Sequence, residues 1–453
     1  MAQVLAAQIK AEVQELEPKV PDAFDREEFP WSYLTADFYP GTPPTSVSDG
    51  HSELSLLSTP VQPDDEPVIA VLGVGYVGTH LVESFSRRYN VIGFDVSHLR
   101  VRQLRDQYQD NESLEFTENS RDLSRATHFL ISVPTLLRPD RTIDSSYLRD
   151  AIKTVGTVAR RGSTIVVESS VAVGMTRQLL GPLAQASGFF AGMSPERVDP
   201  GRVHPPVQSI PKIISGLDDV VPGSLDSISR VYRTIFDNVV TVSRPEVAEM
   251  MKLYENCQRM VCIAYANEMA DACISHGIDP YEVCGAASTK PFGYMPYTPG
   301  LGVGGHCIPV NPFYLLSNSS FPLLEAATNT MWSRPGRIAE RALASLRQGP
   351  KPVGLPRVLV VGMAFKAGQS SLSNSPGLEV AKHLAVSQEV EVVWADARVA
   401  QDAIPQIPRL ADEEWRKDVL ETFALVVVAL RQSDMDFDVL NELRDARVEM
   451  WCR

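Results

Sequence analysis

The stretch "VIAVLGVGYVGTHLVESFSRRYNVIGFDVS", residues 68–97, constrains the fold more than any other part of the chain. An apolar run breaks into a turn with Gly73, Gly75 and Gly78 at GxGxxG spacing, a helical segment follows, and a second apolar run ends in Asp95. Strand, glycine turn, helix and strand in that order imply a crossover in a parallel sheet. Glycines at the turn let the backbone approach a pyrophosphate, the helix N-terminus attracts its charge, and the acid pairs with a ribose diol. A lone GxGxxG would carry little, because a structural glycine turn has the same pattern. The flanking strands and the acid favour dinucleotide binding. Asp95 would repel a 2′-phosphate, so the expected cofactor is NAD.

The alternation continues. "HFLISVPT" and "STIVVESS" read as further strands with helical stretches between them, which implies a doubly wound α/β sheet. From Pro245 to His276 the residues Met250, Leu253, Cys257, Met260, Ala264, Asn267 and Ala270 recur at three- and four-residue spacing, and Gly277 closes the helix. That length suits a connector or a subunit contact. "PRVLVVGMAFK", "VEVVWAD" and "ALVVVALR" then read as strands of a second α/β unit, and "ARVEMWCR" ends the chain. The expected architecture is two Rossmann-like doubly wound parallel-sheet domains joined by a long central helix and a helical middle. Its boundaries fall at 1–66 (a flexible extension, with a short amphipathic helix over 2–16), 67–243 (NAD), 244–335 (central, with a cysteine loop) and 336–453 (the second α/β unit).

A formal charge of −14 argues against a broad nucleic-acid or anionic-membrane surface, which needs clustered Lys and Arg. No apolar run approaches the roughly 18 residues that span a bilayer. The six cysteines, at 257, 262, 273, 284, 307 and 452, form no CxxC pair, so the expectation is reduced thiols, no metal and a cytoplasmic protein. One of them is unusual. "GLGVGGHCIPVNP" sets Cys307 in a glycine-rich loop, where a thiolate can attack a carbonyl if a cation or dipole activates it. By residue type alone an inert thiol is the commoner outcome.

Together "GVGYVG", "ISVPT", "SPERVDPG", "KLYENCQR", "NEMADACISHGID" and "AASTKPFGYMPYTPGLGVGGHCIPVNPFYLL" resemble the UDP-glucose/GDP-mannose dehydrogenase family over about residues 67 to 440. The wording of "SPERVDPG" and "GGHCIPV" is closer to the branch that oxidises UDP-N-acetylhexosamines. The resemblance implies an NAD-dependent four-electron oxidation of a UDP-sugar C6 alcohol to the acid. The aldehyde would be captured on Cys307 and the thioester hydrolysed. It also implies a homodimer or higher oligomer. Lys252 would stabilise the developing oxyanion, with Asn256 one turn on pointing the same way. Glu196 would move protons or hold water, and Ser170 stands where the family has Thr. Tyr76, Val77, Val133, Pro134, Thr135 and Ser170 fall in the cofactor segments. Arg197, Lys290, Phe292, Gly293, Gly304 and Lys366 fall in the substrate segments, although Phe292 suits a core position equally well.

The chain departs from the family in three places. Asn311 replaces an Asp four residues after the cysteine, and an amide cannot hold a proton or a negative charge. In "FKAGQSSLSNSPG", Ser370 and Ser371 replace two acids and Ser373 replaces an Arg. "VEMWCR" stands where a longer end is usual, so a final helix is expected to be missing. These departures motivate an alternative, a homologue that binds NAD and a nucleotide sugar without full turnover. A two-electron hydroxyacid dehydrogenase is a further reading that needs no nucleophilic thiol.

Overall fold

The computed structural model describes residues 59–62, 64–199, 202, 204–349 and 354–452. The helix expected over 2–16 lies outside the described residues. The end of the expected extension is docked, since Val61 N donates to Arg161 O over 2.8 Å.

The first sheet is built from β1 (Val68–Leu72), β2 (Asn90–Phe94), β3 (Leu114–Thr117), β4 (His128–Ile131), β7 (Thr164–Val167), β8 (Phe190–Met193), β9 (Lys212–Gly216) and β10 (Val239–Thr241). A small antiparallel hairpin pairs β5 (Leu136–Leu137) with β6 (Ile143–Asp144). The strand order is β10-β9-β8-β7-β4-β1-β2-β3. Strands β1, β4 and β7 are buried almost throughout because helices cover both faces, which is why they read as continuous apolar runs. The sheet is not wholly parallel. β9 runs antiparallel to β8, with Gly192 opposite Gly216, and β10 follows β9's direction. A Cβ on Gly192 would stand 2.0 Å from Ser215 O, so the reversed strand lies against β8 only because that residue is glycine. Strands β3, β8, β9 and β10 carry no clear sequence signal, being three to five residues long and interrupted by Gly, Lys or Glu.

The central helix spans Pro245–Ser275, and Gly277 beyond it takes a φ of 67°, in keeping with its place as the helix stop. Its fully buried Glu249 accepts from Gly174 N (2.6 Å) and Thr176 N (2.8 Å). That carboxylate therefore caps the first turn of the Met175–Ser187 helix and ties the central helix to the first sheet. On the other side Leu253, Cys257, Met260 and Ala264 pack with Tyr314, Leu324 and Met331.

The second sheet contains β11 (Arg357–Val361), β12 (Glu391–Ala395), β13 (Leu425–Val428) and β14 (Arg447–Met450) in the order β12-β11-β13-β14. All its pairs are parallel; β11, β12 and β13 fall where the sequence puts strands, and β14 adds a fourth at the end of the chain. The helix Pro322–Gln348 packs across the core of this sheet through Ile338, Ala339, Ala342 and Leu343.

Candidate active site

The glycine turn after β1 and the loop after β4 flank the point where the strand order reverses, the usual site for a dinucleotide. The three glycines have different reasons. Gly73 has a φ of 87°, and a Cβ there would meet Ser132 O at 2.5 Å. A Cβ on Gly78 would lie 1.9 Å from Gly73 O, so helix and strand touch there. Gly75 has nothing within 4 Å of its would-be Cβ and leaves room for a ligand over the turn. Asp95 closes the turn, accepting from Val74 N (3.1 Å) and Ser97 N (2.9 Å).

Tyr76 is 43% exposed and its hydroxyl donates to Asp199 O, while Val77 packs into the core beneath the turn. On the facing loop Ser169 Oγ donates to Val133 O over 2.7 Å, Pro134 is exposed, and Thr135 and Ser170 are half-buried. Sequence reasoning overlooked Arg100, whose Nε donates to Val74 O (2.8 Å) and whose Nη2 donates to Thr79 Oγ1 (2.9 Å). It fixes a cation beside the turn. Its position five residues after Asp95 was the available signal.

On the central helix Lys252 is 7% exposed and Asn256 is fully buried. Burial pushes the Lys252 ammonium below its ordinary value, while the charges of Cys307, Glu255 and Glu196 act the other way. Asn256 Nδ2 donates to Asn311 Oδ1, and Arg259 Nη2 donates to Asn256 Oδ1. Arg259 is a second cation that the sequence reading left unassigned.

The cysteine loop is held at both ends and pressed from one side. Gly300 N donates to Asn267 Oδ1 (2.8 Å), and Arg334 Nε donates to Gly300 O (3.1 Å) while its guanidinium pairs with Asp271. At the far end Asn311 N donates to Cys307 O (2.9 Å), which starts the short helix Asn311–Leu316. The second α/β unit supplies the clamp. Gly305 N donates to Ser373 O (2.8 Å), Asn374 Nδ2 donates to Gly305 O (2.8 Å), and His306 Nε2 and Ser373 Oγ are 2.6 Å apart. A Cβ on Gly304 would meet Phe365 Cβ at 2.8 Å, and one on Gly305 would meet the Phe365 ring at 2.9 Å. Those two glycines therefore admit Phe365. Cys307 itself is exposed.

A cavity of about 250 Å³ lies between Gly300–Gly304 on the loop and Gly362, Phe365, Pro376 and Gly377 on the second unit. Gly304 lines it. Lys366 forms a cross-domain bridge instead, with Nζ 2.9 Å from Asp199 Oδ1. Arg197 is paired with Glu255 of the central helix and donates to Pro211 O (2.9 Å). Lys290, Phe292 and Gly293 do not line this cavity; Phe292 is 70% exposed, with Lys290 Nζ 5.0 Å from its ring centroid. Glu196 is buried, and both oxygens are engaged, Oε1 by Arg197 N and Val198 N and Oε2 by Lys212 Nζ. Among the described residues no group of three or more His, Cys, Asp or Glu side chains is placed to hold a metal.

Two family models match the chain. One is the UDP-glucose/GDP-mannose dehydrogenase family NAD binding domain over residues 68–236, and the other is that family's central domain over residues 246–330. A UDP-N-acetyl-D-glucosamine 6-dehydrogenase from Pseudomonas aeruginosa is 32% identical over 358 residues, covering 73% of this chain and 84% of that protein. A UDP-N-acetyl-D-mannosamine dehydrogenase from Pyrococcus horikoshii is 31% identical over 369 residues, covering 76% and 87%. Among solved structures, a UDP-D-ManNAc dehydrogenase from Pyrococcus horikoshii superposes with a TM-score of 0.72 at 27% identity, covering 84% of this chain and 94% of that one.

Proposed function

This chain belongs to the UDP-glucose/GDP-mannose dehydrogenase family, and from that premise we propose that it oxidises the C6 alcohol of a UDP-N-acetylhexosamine to the uronic acid with NAD. The observation that carries the reading is the exposed Cys307 in a loop clamped by the second α/β unit and tied through Asn311 to Asn256, one helical turn from the buried Lys252. The names of the relatives support the substrate class.

NAD suits the residues present, because Gly75 leaves the turn open, Gly73 and Gly78 close the backbone beneath it, and Asp95 and Arg100 flank it. When bound, it would supply a hydride acceptor, one NAD for each of the two oxidation steps. Lys252, desolvated and cationic, stabilises negative charge on the sugar oxygen as it develops. Cys307 Sγ bonds to the aldehyde carbon while its proton goes to the carbonyl oxygen, giving a thiohemiacetal; loss of the second hydride and of the hydroxyl proton leaves a thioester, which water cleaves to the acid and the free thiol. Asn256 and Asn311, hydrogen-bonded to each other, set the base of the loop. The boundaries 67–243, 244–335 and 336–453 serve as the cofactor, catalytic and nucleotide-sugar units of this reading.

Six free cysteines suit a reducing cytoplasm, and among the described residues no helix is long and apolar enough to cross a membrane. The partner is a second copy. Tyr254, Tyr265 and Met269 of the central helix are 45–68% exposed, an apolar face that a homodimer would cover.

The test is NADH formed per UDP-N-acetylglucosamine or UDP-N-acetylmannosamine consumed, with the product charge read by mass spectrometry. Two NADH and a uronate are expected, and Cys307→Ser should abolish the uronate. Binding of NAD and sugar nucleotide with no NADH from either substrate would replace the reading with that of a non-catalytic homologue.

A further inference from the structure

A buried ionic network lies behind the site. Lys212, the first residue of the reversed strand β9, is 3% exposed, and its Nζ lies 2.7 Å from Glu168 Oε2 and 2.7 Å from Glu196 Oε2. Tyr232 OH donates to Glu168 Oε1 from the Ser224–Tyr232 helix, and the Phe236 ring centroid lies 5.4 Å from Nζ. Two carboxyl groups share one ammonium in a dry place, an expensive arrangement for structure alone. The network adjoins the central helix, because Arg197, next to Glu196, pairs with Glu255, three residues from the buried Lys252.

We propose that Lys212 is a positioning residue for the oxidation, holding Glu196 as a fixed anion opposite Lys252 so that Lys252 keeps its ammonium in a desolvated site. The proposal rests on the functional reading above. Glu196 then serves as a counter-charge and not as a proton carrier. Its remaining lone pairs are directed at Arg197 N and Val198 N, and the Arg197 guanidinium is turned away to Glu255. The groups facing Glu196 are therefore Lys212 from β9, Lys252 from the central helix and, across Lys212, Glu168. Burial alone would raise the Glu196 carboxyl, but Lys212 holds it below its ordinary value. Burial would lower Lys212, and the two carboxylates hold it above its ordinary value. Glu168 carries the strain, pushed up to about 7 by burial.

The experiment uses the full chain with Lys212→Met, Lys212→Arg, Glu196→Gln and the double variant K212M/E196Q. Without Lys212 nothing offsets the burial of Glu196, so its carboxyl is driven towards the neutral form and Lys252 loses its counter-charge. The acid limb of the NADH-formation profile should move up in pH and the alkaline limb down, with kcat at pH 7.5 reduced at least about tenfold. KM for NAD should stay within about twofold, and Lys212→Arg should recover most of the rate. In the Glu196→Gln background the added Lys212→Met should change kcat less than about twofold, because its effect passes through Glu196. A second readout needs no turnover. Iodoacetamide alkylation of Cys307, followed by peptide mass spectrometry, should slow severalfold in Lys212→Met as the positive potential from Lys252 weakens. An unchanged profile, an equal loss in both backgrounds, or an unchanged alkylation rate would overturn the proposal. If Lys212→Met does not fold, Lys212→Gln with Glu168→Gln removes one cation and one anion together and carries the same measurements. Absence of NADH from the wild type would overturn the functional reading, while the alkylation rates would still decide the role of Lys212.

Discussion

Asn311 shows how a single residue can be retained structurally while its chemistry changes. It is 2% exposed, its backbone N–H starts a helix on Cys307 O, and its side-chain oxygen accepts from Asn256. An aspartate would accept the same bond, so Asn311→Asp should fold with little change in melting temperature. It would add a group that can take a proton beside the thioester. If hydrolysis limits turnover in this chain, stopped-flow traces of the wild type should show a burst of NADH, and Asn311→Asp should raise the steady-state rate relative to that burst. A steady-state rate left unchanged by the substitution would show that Asn311 does not limit the reaction. The identity of this residue was legible in the sequence, but its burial and its bond to Asn256 were not, because its partner comes from a helix 55 positions away.

Among the elements, the glycine turn and the cysteine loop both depend on glycine, for different physical reasons. In the turn, Gly73→Ala places a Cβ 2.5 Å from a backbone oxygen at a φ of 87°, so it should destabilise the fold and abolish NAD binding together. Gly75→Ala meets no protein atom within 4 Å and should fold normally, yet weaken NAD at least about tenfold by crowding the ligand. Thermal unfolding alongside NAD titration separates the two. Equal affinity in Gly75→Ala and wild type would remove the turn from the cofactor site. In the cysteine loop, Gly304 and Gly305 make room for Phe365 of another domain. No local pattern could reveal that, since GxGxxG has a self-contained geometry and the cysteine loop does not.

For the whole molecule, buried titratable groups set the pH range of stability. Burial, then Arg230, lowers His128 from 6.5 to about 4. The fold therefore favours neutral imidazole; its contribution is fully present above about 6.5 and is lost as pH falls towards 4. A tenfold change in proton affinity between the folded and unfolded chain is worth about 1.4 kcal/mol. Melting temperature should fall across that window, and His128→Gln should flatten the slope. Glu168 has the opposite sign, because raising its carboxyl to about 7 stabilises the protonated fold below 4.5 and is lost as pH rises through 7. The site is likewise a property of the whole chain. The first sheet supplies Glu196 and Lys212, the central helix Lys252 and Asn256, and the second sheet's loops the clamp on Gly305.

The cysteine stood out only through the family resemblance; the sequence by itself determined the two α/β units, the long helix with its glycine stop and the dinucleotide turn. Each depends on local periodicity or on a backbone conformation that only glycine takes readily. Only the tertiary structure decided that β9 runs backwards, that Lys212 is buried between two carboxylates, and that Ser373 and Asn374 hold the cysteine loop. Those facts depend on contacts between residues 16 to 69 positions apart. A buried lysine paired with acids has the same composition as an exposed one, and only the packed chain brings its counter-charges within reach.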